Sequence, residues 1–318
     1  MADYQDIRGL RVKYLSADPS TTTAGEVWYN STSGTLKASV LGSAAWSSGG
    51  AYPVAIRETC GCGTLTAGLG MPGQTAPGAT NVSAEYNGTA WGNTATSNTT
   101  CIARGGAGLQ TSGLAMGGEP GSGEVEEYNG ASWSEETNLG TARYALGGAG
   151  TQTAGLAIGG RYSAASPGAV EEYNGASWTA ETVQPSGTSY AGTCGTSTAA
   201  LYFGSRPSPT TNTFEYNGAS WTAGGAHPTS IGGCIGSGTQ TAALQAGAGP
   251  PQSTVTAIYN GTSWASNPSM AVARSNPGGS SVSNAAAFMF GGNPVSGFTD
   301  ATEEFNEGAA ETQTLTTS

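Results

Sequence analysis

The sequence predicts an all-β chain folded as a six-bladed β-propeller with four antiparallel strands per blade, and three observations lead there. Six tryptophans, Trp46, Trp91, Trp133, Trp178, Trp221 and Trp264, recur at intervals of 45, 42, 45, 43 and 43 residues. Five of them end nearly the same phrase: A-E-Y-N-G-T-A-W at Ala84–Trp91, V-E-E-Y-N-G-A-S-W at Val125–Trp133 and Val170–Trp178, F-E-Y-N-G-A-S-W at Phe214–Trp221, and A-I-Y-N-G-T-S-W at Ala257–Trp264. A period of about 40–50 residues punctuated by Gly and aromatic residues is that of a propeller blade. Finally, the last unit, Arg274 to Asn306, stops without a tryptophan strand, while an orphan strand, Ala44–Ser48, precedes the first unit. Pairing the two closes the last blade and removes the open sheet edges.

Within one unit the strands follow from local pattern. Arg143–Gly150 is short and small, and Thr151–Gly160 is a second β-like run ending in Gly-Gly. Arg161–Ala169 is a loop rich in Ser, Gly and Pro, Val170–Tyr173 alternates, and Ala176–Glu181 returns as a fourth strand. Asn174-Gly175 between the last two is the signal of a type I′ hairpin, whose central residues both need φ > 0. The ring spans 44–307, residues 1–43 form an arm with a hairpin at Gly25–Lys37, and 308–318 form a tail.

Composition narrows the partners. Ten basic against 21 acidic residues give a net charge of −11, which repels phosphates and anionic membranes, so neither nucleic acid nor membrane insertion is expected. Residues 1–10 lack the apolar core of a secretion signal, and no run approaches the length of a membrane span, so synthesis in the cytoplasm is expected. The five cysteines, Cys60, Cys62, Cys101, Cys194 and Cys234, have neither disulfide-framework nor zinc spacing. His227 is the single histidine, expected in a loop, so no multi-histidine metal site and no cofactor is expected. Cys62 and Cys194 are expected near the channel as packing residues.

The pattern resembles the kelch repeat over about five-sixths of the chain. Kelch units share an early Arg, a Gly-Gly ending the second strand, a Tyr in the third and a Trp in the fourth, here Arg143, Gly159–Gly160, Tyr173 and Trp178. The resemblance implies a structural role for the unit-opening arginines Arg57, Arg104, Arg143 and Arg274, bonded to backbone and carboxylates. The alternative is an anion-binding ring. Tyr86, Tyr128, Tyr173, Tyr216, Tyr259 and Phe305, with the six tryptophans, read as blade packing or as a sugar-stacking platform. Glu85, Glu127, Glu172, Glu215 and Glu304 precede those aromatics and read as structural partners, for instance of the arginines. Catalysis needs one asymmetric constellation rather than a ring of copies. No G-x-S-x-G elbow, phosphate loop or sialidase Asp-box is present, so no catalytic residues are expected.

The segment G-E-V-W-Y-N-S-T-S-G-T-L-K, Gly25–Lys37, resembles a module near the start of tailed-phage virion proteins, and the repeat phrases resemble repeat-bearing structural proteins of marine phages. The resemblance implies a non-enzymatic particle protein (tail fibre, adaptor or capsid decoration), present in several copies. Residues 1–43 would dock on other virion proteins, with Arg8, Arg11, Lys13, Tyr14 and Trp28 as candidate contacts. The variable loops Glu119–Glu124, Arg161–Ala169, Ser205–Thr213, Gly249–Thr254 and Asn293–Asp300 would meet a host-surface glycan or protein. The other readings are a propeller enzyme degrading polysaccharide and a cytoplasmic kelch-type adaptor.

Overall fold

A computed structural model describes residues 12–23, 25–162, 168–295, 297–308 and 310–316. Strands β1 (Lys13–Leu15), β2 (Val27–Asn30), β3 (Thr35–Leu41) and β4 (Ala45–Ser48) precede the first repeat. The repeats then supply β5–β8 (Gly61–Thr64, Ala67–Gly70, Ala84–Tyr86, Trp91–Asn93), β9–β12 (Gly105–Leu109, Ser112–Gly118, Ser122–Tyr128, Trp133–Glu136) and β13–β16 (Gly147–Thr151, Ala154–Ile158, Val170–Tyr173, Trp178–Glu181). They continue with β17–β20 (Gly192–Thr196, Ala199–Phe203, Thr213–Tyr216, Trp221–Ala223) and β21–β24 (Ile235–Thr239, Ala242–Ala248, Ser253–Tyr259, Trp264–Asn267). Last come β25–β27 (Gly278–Gly279, Ala286–Phe290, Thr302–Asn306) and β28 (Ala310–Thr314).

These strands form seven four-stranded sheets, divided between two compact units. Six sheets belong to the unit Trp46–Phe305. Five are consecutive antiparallel meanders, and the sixth has the order β25-β26-β27-β4. The expected closure is therefore observed, because the unfinished last repeat takes its outer strand from ahead of the first. Each sheet's innermost strand neighbours the next around a circuit of β5, β9, β13, β17, β21 and β25 that returns to β5.

The composition of each strand follows its radius. Inner strands such as Gly-Gly-Ala-Gly-Thr in β13 are small because they converge on an axis. Second strands are apolar without alternation, as in Leu156, Ala157 and Ile158, because neighbouring sheets cover both faces. The core is thus a set of layers between sheets. One such layer joins Leu156 and Ile158 of β14 to Ala200, Tyr202 and Tyr216 of the next sheet.

The Asn-Gly turn joins the third and fourth strands as expected, but it is not type I′. Tyr173 pairs directly with Trp178, so the loop holds four residues, and only Gly175, at φ +87°, is left-handed. Asn174 keeps negative φ because its side chain does other work. Its Oδ1 accepts hydrogen bonds from the amides of Ala176 (3.0 Å) and Ser177 (2.9 Å). Asn87, Asn129, Asn217 and Asn260 repeat the arrangement.

The second unit comprises residues 1–45 and 306–318, of which those described form one sheet of order β1-β2-β3-β28. The hairpin at 25–37 is present as β2 and β3, and β1 runs parallel to β2. The segment 308–318 is not simply a tail. Its residues Ala310–Thr314 pair antiparallel with β3, whose outer edge would otherwise be open.

Candidate functional site

The repeated side chains are structural in their contacts. In each sheet one Tyr or Phe of the third strand lies against that sheet's Trp, with ring centroids 4.8–5.3 Å apart. Each Trp Nε1 then donates to an acceptor in the preceding sheet, for instance Trp133 to the Ala95 carbonyl (3.1 Å) and Trp178 to that of Thr137 (2.9 Å). The tyrosine hydroxyls also point backwards. Tyr128 donates to Glu85 (2.8 Å), Tyr173 to Glu127 (3.0 Å), Tyr259 to Glu215 and Tyr86 to Glu304. Tyr216 uses Glu181 (3.4 Å) in place of Glu172.

Four of the five glutamates that precede the aromatics, Glu85, Glu127, Glu215 and Glu304, are therefore tyrosine acceptors and not arginine partners. The arginines Arg104, Arg143 and Arg274 bond to Glu126, Glu171 and Glu303, one residue earlier and on the opposite strand face. These three ion pairs are buried, and each carboxylate also accepts amide N–H groups from the loop before its sheet. Examples are Gly140 to Glu171 (2.6 Å) and Ala271 to Glu303 (2.7 Å). Arg57 departs from the expected set. The strand position that would carry its glutamate is Ala84, and Arg57 instead donates Nε–H to Gln74 Oε1 (2.9 Å) beside the ring of Phe298.

Other expectations also shift. His227 lies in a loop but is buried, with Nδ1 at 2.8 Å from the Thr229 carbonyl and Nε2 at 3.3 Å from Gln245 Oε1. Burial lowers its pKa, opposed by those two bonds. Cys62 and Cys194 face the layers between sheets; the cysteines on the central cavity wall are Cys60 and Cys234. Burial pushes the Cys60, Cys194 and Cys234 thiols up to about 12. Trp28 is not available for docking, because it is 1% exposed and donates Nε1–H to Asp18 (3.0 Å). Tyr14 is exposed and stacks on Tyr29, and Lys13 pairs with Glu26 at 3.0 Å. Arg8 and Arg11 lie outside the described residues. Among the described residues no three His, Cys, Asp or Glu side chains converge as metal ligands, and no helix is long and apolar enough to cross a membrane.

The non-repeating chemistry gathers at one end of the axis. Six residues, one per sheet, all have positive φ: Glu58, Ala103, Ala145, Tyr190, Gly233 and Asn276. Each donates its amide to the carbonyl of the one before, at 2.6–3.0 Å, and Glu58 donates to Asn276, so the six bonds form a closed ring. Five of the six are non-glycine, which costs backbone energy that the cyclic hydrogen bonding offsets. A cavity of about 110 Å³ runs from this ring along the inner strands.

The neighbouring residues form two further sets. Arg57, Ile102, Tyr144, Ser189 and Ser275 make single-residue bridges to Gln74, Glu119, Arg161, Arg206 and Asn293, and Gly232 accepts the Gly249 amide. Four of the five candidate recognition loops begin with one of these outer residues, and the fifth begins one residue before Arg206. Residues 163–167 of one loop and 296 of another are outside the described set. At these positions the repeat breaks down into Arg, Glu, Tyr, Asn and Gly, and the asymmetry that the repeated series lacks is found here.

Arg206 reaches over three neighbouring positions of the ring, Tyr190, Gly233 and Asn276. Its guanidinium lies 5.1 Å from the Tyr190 ring centroid, and Nη1 donates to Asn276 Oδ1 (3.0 Å). Its path passes over Gly233, where a Cβ would lie 2.4 Å from Asn276 Oδ1 and 3.2 Å from Arg206 Cδ. The Glu58 carboxyl is held above the usual range, by burial first; Arg57 and Arg206 pull it down and Glu119 pushes it up.

This arrangement defines the class: an all-β, kelch-like propeller. No protein-family model and no curated protein matches the chain. Among solved structures, that of YjhT, a kelch-repeat propeller protein, matches with a TM-score of 0.64 at 13% identity, covering 80% of this chain and 96% of that one. Likeness at that identity concerns the fold.

Proposed function

We propose that the chain is a non-enzymatic structural protein of a tailed-phage particle, displaying a six-bladed propeller for contact with the host surface. One observation carries the reading. The virion-like segment Gly25–Lys37 folds as a hairpin within its own compact unit, separate from Trp46–Phe305. A docking module and a display module are what such a protein needs. The loops at the polar mouth supply variable residues on a rigid frame, and several copies per particle would turn weak single contacts into firm adhesion. The test is gradient-purified particles probed for this chain. Multiple copies per particle support the reading, and its presence in infected cells with absence from particles overturns it.

A polysaccharide-degrading enzyme is the second reading, favoured by Glu58 and Glu119, two carboxylates without equivalents in the other sheets that feel one another's charge. Depolymerisation of host capsule by the purified chain would favour it over the first.

A further inference from the structure

The unit Trp46–Phe305 has six basic residues, and their distribution is uneven. Arg104, Arg143 and Arg274 are consumed in buried ion pairs. The other three, Arg57, Arg161 and Arg206, all stand at the mouth of the ring. Each lies over an aromatic face, of Phe298 (4.6 Å), Tyr144 (5.5 Å) and Tyr190 (5.1 Å). Arg57 and Arg206 thus bring two guanidiniums to a mouth that also holds the carboxyls of Glu58 and Glu119, on a chain of net charge −11.

The geometry points to a binding site for a carboxylate-bearing sugar at this mouth, with Arg206 and Arg57 as the carboxylate-binding groups. Both guanidiniums are held in place before any ligand arrives. Arg206 is fixed by Tyr190 and Asn276, and Arg57 by Phe298 and Gln74. Among the described residues the Nη2 of each makes no hydrogen bond, which leaves donors for a planar oxyanion. The half-buried Glu58 and Tyr190 and the buried Asn276 stand beside them, a mixture of donors and acceptors suited to hydroxyl groups. The small side chains of Ala103 and Ala145 leave the part of the ring between Glu58 and Tyr190 low, giving the ligand room. The site rests on the surface-contact reading for its biological purpose and on the mouth alone for its chemistry.

The test is calorimetric titration of the full-length chain with glucuronate, glucose, sulfate and a glutamate-rich peptide, repeated on Arg206→Gln, Arg206→Lys and Arg57→Gln. Glucuronate binds at least tenfold more tightly than glucose. Either glutamine variant weakens it at least tenfold, and Arg206→Lys weakens it less than Arg206→Gln, with circular dichroism and melting unchanged. Equal binding of glucose, undiminished binding by both glutamine variants, or no glucuronate binding overturns the proposal. So does sulfate that competes as well as glucuronate, or a tenfold preference for a glutamate-rich peptide. Loss of sugar binding with particle incorporation intact refutes this inference alone, whereas sugar binding by a chain absent from particles refutes the virion reading alone.

Discussion

The hydroxyl of Tyr173 donates to the carboxylate of Glu127 in the preceding sheet at 3.0 Å, a link between sheets made almost all the way round the ring. The exception is instructive. Phe305 lacks a hydroxyl, and the equivalent acceptor position in the sheet before it is Ile258 in place of glutamate. Donor and acceptor are lost together, as expected when either alone would leave a half-buried polar group unpaired. Tyr173→Phe therefore destabilises the chain by about 1.5–3 kcal/mol, the scale of a hydrogen bond to a charged group. Tyr173→Phe combined with Glu127→Ile recovers much of that loss. Denaturant midpoints of the two singles and the double measure it, and strict additivity refutes the coupling.

The same links make the fold sensitive to alkali. Tyr86, Tyr216 and Tyr259 are pushed up to about 12, by burial first and then by the carboxylates beside them. Their folded-state values lie above the unfolded value of about 10. The stabilisation is thus complete below about pH 10 and is lost as pH rises towards 12. Melting temperature followed from pH 9 to 12 should fall across that window, and fall less steeply in Tyr259→Phe. A melting temperature that stays level from pH 10 to 12 contradicts this.

Arg143 and Glu171 are buried together, with the Gly140 amide donating to the same carboxylate at 2.6 Å. Removing one partner strands a buried charge, so Arg143→Met costs about 3–5 kcal/mol. The double change Arg143→Met, Glu171→Leu is closer to neutral, though it still orphans the Gly140 amide. Three sheets already do without the pair, having Ala84, Phe214 and Ala257 where Glu171 would be. Thermal melts of both variants decide between an ion pair that fixes the loop and one that merely tolerates burial.

The aromatic framework and the ring closure were legible because they repeat: Trp at near-constant intervals, Tyr five residues before it, and one orphan strand matching one missing strand. The arginine partners were not. Glu126 and Glu127 are identical neighbours, and choosing between them requires knowing which strand face looks inward. Neighbouring sheets cover both faces, so hydrophobic alternation does not reveal it. The polar mouth was hidden for the opposite reason. Glu58, Ala103, Ala145, Tyr190, Gly233 and Asn276 share a backbone conformation and a cyclic hydrogen-bond pattern but no residue type. Their equivalence is visible only in three dimensions. Arg57 looked like Arg143 in sequence, yet it stands at the position of Tyr144, directly before its ring residue, and Ala84 offers no carboxylate to draw it into the sheet.

Trp46 is the residue on which closure turns. Its ring packs on Phe305 at 5.3 Å and its Nε1–H donates to Thr256 Oγ1 at 3.1 Å, so it ties β4 both to β27 and to the sheet before. Trp178 makes like contacts, with Tyr173 at 4.8 Å and the Thr137 carbonyl at 2.9 Å, but its strand follows β15 through a four-residue turn. Truncating either to alanine removes similar contacts, at a cost of about 3 kcal/mol. The consequences differ because only β4 is far from its sheet partners in sequence, and its loss exposes a strand edge. Hydrogen exchange should therefore quicken across Thr302–Asn306 and Ala286–Phe290 in Trp46→Ala. In Trp178→Ala the change should stay within Val170–Glu181. Equal and local effects from the two substitutions would show that the ring does not depend on the strand that seals it.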